Sequence, residues 1–293
     1  MPSIEPCRDP APLRRYIDEH WRKNHVLARD ERMFAFQYQT PWVDRAAFPQ
    51  GISVLGAYEG SELIGFIGAI AAPYPRKRSS WLALWHVRPD LKSSGMGGKL
   101  LQAMQDRAVG PDSTGWIGTF GAGPAALPVY LKRGYACRAV RRWLYDPRSA
   151  PDAAMAAPAS LHSTESEAGE AWLDYRYARH PLFKYEILPG GIFRTERNAW
   201  GLVTHALLLR DDWRAEAARI HARDAALADR EGVAHLMDAW SFGRPGPGWE
   251  LAPDDLPSVF SPPEARGNLI YATGFPFTPA RVQKGDCDQD RPN

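Results

Sequence analysis

The chain has 293 residues, 44% hydrophobic and 24% charged, with a formal net charge of +2. That length suits two α/β units, and so even a charge balance gives no reason to expect nucleic acid or an anionic membrane surface as a partner. No apolar run approaches the ~20 residues that span a bilayer, the opening MPSIEPCRDP lacks a basic region followed by an apolar one, and Cys7, Cys137 and Cys287 are too scattered for a metal pair or a disulfide framework. A cytoplasmic protein without a metal is the expectation. The eleven tryptophans read either as large core side chains or as an aromatic wall for a ring-shaped ligand.

In chain order, residues 10–24 place Leu13, Tyr16, Ile17 and Trp21 on one helical face. A short helix follows at Asp30–Gln39. Ile52–Tyr58 and Leu63–Ala71 read as strands joined by a hairpin turn, and Ser80–Val87 as a third strand closed by Pro89. Gly95–Ala108 reads as a helix with Leu100, Leu101, Met104 and Ala108 on its apolar side. Trp116–Phe120 is a short strand, Ala125–Arg133 a short helix ended by Gly134, and Tyr135–Tyr145 a further strand. The class is mixed α/β.

Residues 147–168 are rich in Ala, Pro and Ser with few large apolar groups, so they are expected to link two domains, 1–146 and 169–293. Beyond the linker come a helix-like WLDYRYARHP, strands at Phe183–Leu188, Ile192–Glu196 and Gly201–Leu209, and an amphipathic helix at Trp213–Arg230. Strands at Val233–Phe242 and Asn268–Gly274 close the series. The second half repeats the rhythm of the first without a clear sequence repeat.

The chemically informative stretch runs from Val87 through Lys92, Ser93, Ser94, Gly95, Met96, Gly97 and Gly98 to Lys99. It joins a strand end to a helix start. Glycines allow close backbone approach, and the first helical N–H groups lack internal partners while the dipole favours an anion there. A phosphate or pyrophosphate fits such a cradle, with Lys92 and Lys99 adding charge. The competing reading is a tight turn that packs helix on strand. The spacing matches neither a Walker loop nor the GxGxxG dinucleotide fingerprint.

This stretch resembles the hallmark of the GNAT superfamily of acyl-CoA N-acyltransferases, Gln/Arg-x-x-Gly-x-Gly/Ala, placed shortly after a strand-ending valine. Lys92 stands where Gln or Arg is usual. A second element of that family, Tyr-x-x-x-Gly-aromatic on a short helix, occurs as Tyr130-Leu-Lys-Arg-Gly134-Tyr135. The resemblance covers about residues 1–146. It implies that the strands ending at Val87 and starting at Trp116 splay apart to hold the pantetheine arm of acetyl-CoA or another acyl-CoA. It also implies that the pyrophosphate sits on Lys92–Gly98, that backbone N–H near Val87 polarises the thioester, and that Tyr130 protonates the leaving thiolate. Without the resemblance Tyr130 reads as a half-buried aromatic.

Many family members carry a Glu or His base four to six residues before the strand-ending valine. Here Trp81 and Ala83 fill those positions, and strict alternation puts His86 on the opposite face. The base is then water or comes from the second half. Asp286, Asp288 and Asp290, near the end of the sequence, are the carboxylates proposed to hold or deprotonate a cationic amine; a solvated acidic tail is the alternative. The layout, a GNAT-like domain followed by a degenerate GNAT-like domain, resembles tandem acyltransferases of the Fem type and those of surface-polysaccharide assembly. The expected function is acylation, by direct attack, of a primary amine on a small molecule such as an amino sugar. Aminoacyl transfer and a non-catalytic acyl-CoA-binding module are the rivals, and the oligomeric state is left open.

Overall fold

Apolar alternation in the first half resolves into an antiparallel meander backed by a helix. The structure, a computed structural model, describes residues 2–73, 78–120, 122–123, 126–149, 167–197, 201–210, 213–241, 244–253 and 268–271. The chain enters through β1 (Ser3–Pro6) and α1 (Pro10–Tyr16). Asp9 caps α1 by accepting from the Ala11 N–H, and Pro10 opens the helix, where a missing N–H costs nothing. The expected single helix over 10–24 instead widens into a π-turn at Ile17–Trp21. Short helices α2 (Val26–Arg29) and α3 (Glu31–Tyr38) follow, the latter capped by Asp30.

Strands β2 (Val54–Glu59), β3 (Glu62–Ala72) and β4 (Ser79–Val87) pair antiparallel in sequence. A 3-10 turn at Pro89–Ser94 leads into α4 (Met96–Val109), which packs Leu100, Leu101, Met104 and Ala108 onto the sheet. Next come β5 (Trp116–Phe120), α5 (Leu127–Lys132), β6 (Ala136–Ala139) and β7 (Arg141–Tyr145). The second half contributes α6 (Glu167–Leu173), a π-turn at Asp174–Ala178, β8 (Glu186–Leu188), β9 (Gly191–Arg197), β10 (Gly201–Leu209), α7 (Trp213–Glu231), β11 (Ala234–Ser241), β12 (Trp249–Leu251) and β13 (Asn268–Tyr271).

Two mixed sheets result, ordered β1-β2-β3-β4-β5-β13-β6 and β12-β7-β11-β10-β9-β8. Sheet membership and chain order do not coincide. The run Tyr135–Tyr145, expected as one strand, breaks at Val140: β6 stays in the first sheet, while β7 crosses to pair with β11 and β12 of the second. In return β13 inserts between β5 and β6. Each half thus lends a strand to the other's sheet, so the loss of either strand would open a buried ladder.

An aromatic layer joins the halves. Trp81 and Trp116 from the first sheet cluster with Trp172, Tyr177, Ile192, Leu207 and Leu208 of the second half. Trp81, Trp116, Trp172 and Trp249 are among the largest fully buried side chains, so the core reading of the tryptophans holds for these. Among the described residues no helix is long and apolar enough to cross a membrane.

Candidate active site

The central feature is where β4 and β5 part. Their parallel ladder comprises Ser79↔Trp116, Ser80↔Ile117 and Trp81↔Gly118, yet β4 continues to Val87. Thr119 Oγ1 donates to the Leu82 carbonyl at 3.0 Å, so a side chain takes over where the ladder stops. On its other edge β4 stays paired with β3 up to Gly65↔Val87. An extended amide-bearing chain can therefore add to the β5-facing edge of β4 in the manner of a strand.

A β-bulge in β4 changes the expected facing of its side chains. Ile67 pairs with Trp85 and Ala69 with Leu82, so β4 holds one residue more than β3 between those pairs. Directly paired residues share a face. Val87 and Leu82 therefore face α4, whereas Trp81 and His86 share the opposite face with Ile70 and Phe66. Counting back from Val87 by strict alternation fails because it passes through the bulge. His86 is half-buried on that opposite face, with Nδ1 3.1 Å from the Tyr16 hydroxyl. Tyr16 is buried, and burial raises its phenol pKa well above the ordinary value.

Beyond Val87, Arg88 N–H donates to the Ile64 carbonyl, and the Arg88 guanidinium grips Asp90 at 2.9 and 3.0 Å. Lys92, Ser93 and Ser94 supply the backbone of the 3-10 turn, with the Ser94 hydroxyl donating to the Leu91 carbonyl. Gly95 has φ +74°, the left-handed region that glycine enters without penalty, and it turns the chain into α4. The first helical bond runs from the Lys99 N–H to the Gly95 carbonyl, and the Met96 N–H meets Ser94 Oγ at 3.3 Å.

Side chains close on this turn that sequence reasoning missed. A Cβ on Gly97 would lie 3.1 Å from Trp85 Cζ2, so the indole packs against the start of α4. A Cβ on Gly98 would lie 2.8 Å from Arg133 Nη2, which places a guanidinium over the same turn. Arg133 Nη1 donates to Gln102 Oε1 at 2.7 Å, anchoring it to α4. Arg133 lies inside the Tyr130–Tyr135 element, where its charge was the available signal. Tyr130 is buried, with its ring 5.6 Å from Trp85 and 5.2 Å from Tyr135. The structure thus gathers Val87, Gly95–Gly98, Tyr130 and the added Trp85 and Arg133 around one helix start. Asp286, Asp288 and Asp290 lie outside the described residues.

The second sheet carries its own charged chain. His205 Nδ1 is 2.7 Å from Asp238 Oδ1, and its Nε2 is 3.0 Å from Glu196 Oε1. Carboxylate oxygens thus face both ring nitrogens, an arrangement that favours a proton on each. Arg142 grips Asp238 at 2.7 and 2.8 Å, and Arg194 binds Glu196 at 2.6 Å. The bond from His205, with Arg194 helping, holds the Glu196 carboxyl at about 2. This network ties β7, β9, β10 and β11 together.

Residues 14–135 match the Acetyltransferase (GNAT) family. The matched region contains the parted strands, the Gly95–Gly98 turn and Tyr130. No sequence among the curated proteins matches the chain. A chain from Pyrococcus horikoshii described as an acetyltransferase is similar in structure over 98% of this chain and 94% of its own, with TM-score 0.52 and 11% identity. A GCN5-related N-acetyltransferase from Anabaena variabilis is similar over 92% of this chain and 72% of its own, with TM-score 0.51 and 10% identity. A GNAT-family acetyltransferase from Streptococcus pneumoniae aligns with 48% of this chain and 89% of its own, with TM-score 0.38 and 14% identity. The first two likenesses extend the shared fold across both sheets.

Proposed function

We propose that the protein transfers an acetyl group from acetyl-CoA to a primary amine of a small molecule by direct attack. The observation that supports this best is the parting of β4 and β5 directly above a glycine-rich helix start. In this reading the pantetheine arm lies along the β5-facing edge of β4. The pyrophosphate rests on the turn Lys92–Gly98, with Arg133 as an added cation. Backbone N–H at the end of β4 polarises the thioester carbonyl, and Tyr130, on the α4 side, protonates the departing thiolate.

The acceptor comes from the opposite face, where Tyr16, His86 and Ala83 lie beside the aromatic layer of the second half. The second half, 169–293 by composition, acts as a degenerate GNAT-like domain that shapes this side. Two groups compete for the ammonium proton: the carboxylates Asp286, Asp288 and Asp290, and His86, a titratable side chain on the acceptor face.

The test is thiol release from acetyl-CoA against a panel of amines, amino sugars included, with the product identified by mass. Amine-dependent release with formation of the N-acetyl product is expected. Tight acetyl-CoA binding without transfer to any amine would favour a non-catalytic acyl-CoA-binding module instead.

A further inference from the structure

Arg176 is the side chain this reading leaves unexplained. It sits on the π-turn Asp174–Ala178 and is 1% exposed. Among the described residues its Nε and Nη1 have no hydrogen-bond partner, and no carboxylate lies within ion-pair distance of it. The neighbouring Asp174 pairs with Arg179 instead, at 2.7 Å. The other buried guanidiniums differ: Arg142 is held by Asp238 and Arg194 by Glu196. What Arg176 does have is two aromatic rings, Phe36 at 5.3 Å and Trp172 at 5.5 Å from its guanidinium carbon.

Ring faces offset only part of the cost of removing a guanidinium from water. The planar fork that remains is shaped for a carboxylate. Its position ties it to the parted strands. Tyr175, next in sequence, stacks on Phe36 at 4.8 Å and donates to the Phe36 carbonyl at 2.8 Å. Tyr175 and Ala83 of β4 each pack against the same two interior clusters, and Ala83 lies just beyond the last β4–β5 pair, Trp81↔Gly118.

We infer that Arg176 is the anion-recognition residue of the acceptor site, and that the acceptor is an amine that also carries a carboxylate, as amino acids do. This deepens the acyl-transfer reading and rests on it. The carboxylate pairs with Nε and Nη1 of Arg176, and the amine then lies toward β4, where the thioester is held. Binding there displaces the Phe36–Tyr175 stack, which is held by that ring contact, by the hydrogen bond to the Phe36 carbonyl and by edge contacts from Trp42 and His180.

The experiment uses the full chain with acetyl-CoA and matched pairs of acceptors, amino acids and their carboxamides, with thiol release as readout. The free acids should exceed their amides in kcat/KM by at least about tenfold, the scale of a charge-assisted hydrogen bond. Arg176→Met keeps the contacts with the rings. It should erase that preference by raising KM for the acids, while KM for acetyl-CoA stays unchanged. Arg176→Lys, checked for folding by circular dichroism, should keep the preference at reduced kcat/KM. Equal use of acids and amides, or no turnover of the acids by a protein that binds acetyl-CoA, overturns the inference. So does a preference that survives in Arg176→Met. Failure to bind acetyl-CoA overturns the acyl-transfer reading instead. A chain lacking residues 284–293 should keep the preference; losing it together with thermal stability would make the counterion this chain's own carboxylate and overturn the inference.

Discussion

Gly97 offers the sharpest test of the pyrophosphate turn, because the structure separates steric from electrostatic effects there. Gly97 lies in the first turn of α4, and a Cβ would meet Trp85 Cζ2 at 3.1 Å, so the indole must give by a few tenths of an ångström. Gly97→Ala gains helix propensity of about 1 kcal/mol against that adjustment, and its melting temperature should stay near the parent's. Its methyl group nevertheless stands where the ligand must approach the backbone. Losing one charge-assisted hydrogen bond there costs about 1.5–3 kcal/mol, roughly tenfold to a hundredfold in affinity. Gly97→Glu adds like-charge repulsion, about 1–4 kcal/mol for unit charges ~4 Å apart between bulk water and a protein surface. The combined loss is then at least about fiftyfold. Calorimetric titration of coenzyme A into both variants measures it, with thermal melting as the folding control. A folded Gly97→Glu protein with unchanged affinity would refute the placement of the pyrophosphate.

Further outcomes follow from the same geometry. Tyr130→Phe should slow acetyl transfer by about 10²–10⁴-fold and leave coenzyme A affinity nearly intact; parental turnover would make Tyr130 a packing residue. Deleting residues 284–293 should leave acetyl-CoA binding in place and lower amine acetylation by at least about tenfold, or about 1.4 kcal/mol of transition-state stabilisation. If activity and melting temperature are unchanged, His86→Gln becomes the variant expected to lose the base. Burial, with the neighbouring His221 adding to it, lowers the His235 pKa to about 4. The unfolded chain therefore binds the extra proton, and stability present above about pH 6.5 falls as pH drops toward 4. Glu196, held at about 2, adds a second loss in the same direction, starting only below its ordinary value of 4.5. Denaturant midpoints measured from pH 7 to 3 should show both windows, and His235→Gln should shrink the upper one, to which His221, also lowered by burial, contributes.

What the residues announced in advance was local. The Gly95–Gly98 turn and the apolar face of α4 are short-range patterns, and both stand in the structure close to where periodicity put them. Long-range pairing was hidden. The apolar run at Asn268–Tyr271 reads as a strand, but nothing in it says that it inserts between β5 and β6. The transfer of Arg141–Tyr145 to the other sheet turns on a break at Val140 that carries no glycine or proline to mark it. The bulge in β4 lies within a continuous apolar run, so the facing of Trp81 could be read only from register, whereas alternation placed His86 opposite Val87 as the structure has it. Arg176 was visible as a charged residue in an aromatic segment, yet its burial depends on Phe36, far away in the chain.

A structure of the protein with acetyl-CoA bound tests the proposed site most directly. It should show pantetheine amides bonded along the β5-facing edge of β4 between Leu82 and Val87, the pyrophosphate on the N–H groups of Gly95–Gly98 with Arg133 beside it, and the thioester sulfur on the side of Tyr130. Acetyl-CoA bound on the second sheet, or bound to the first with β4 and β5 closed, would contradict it.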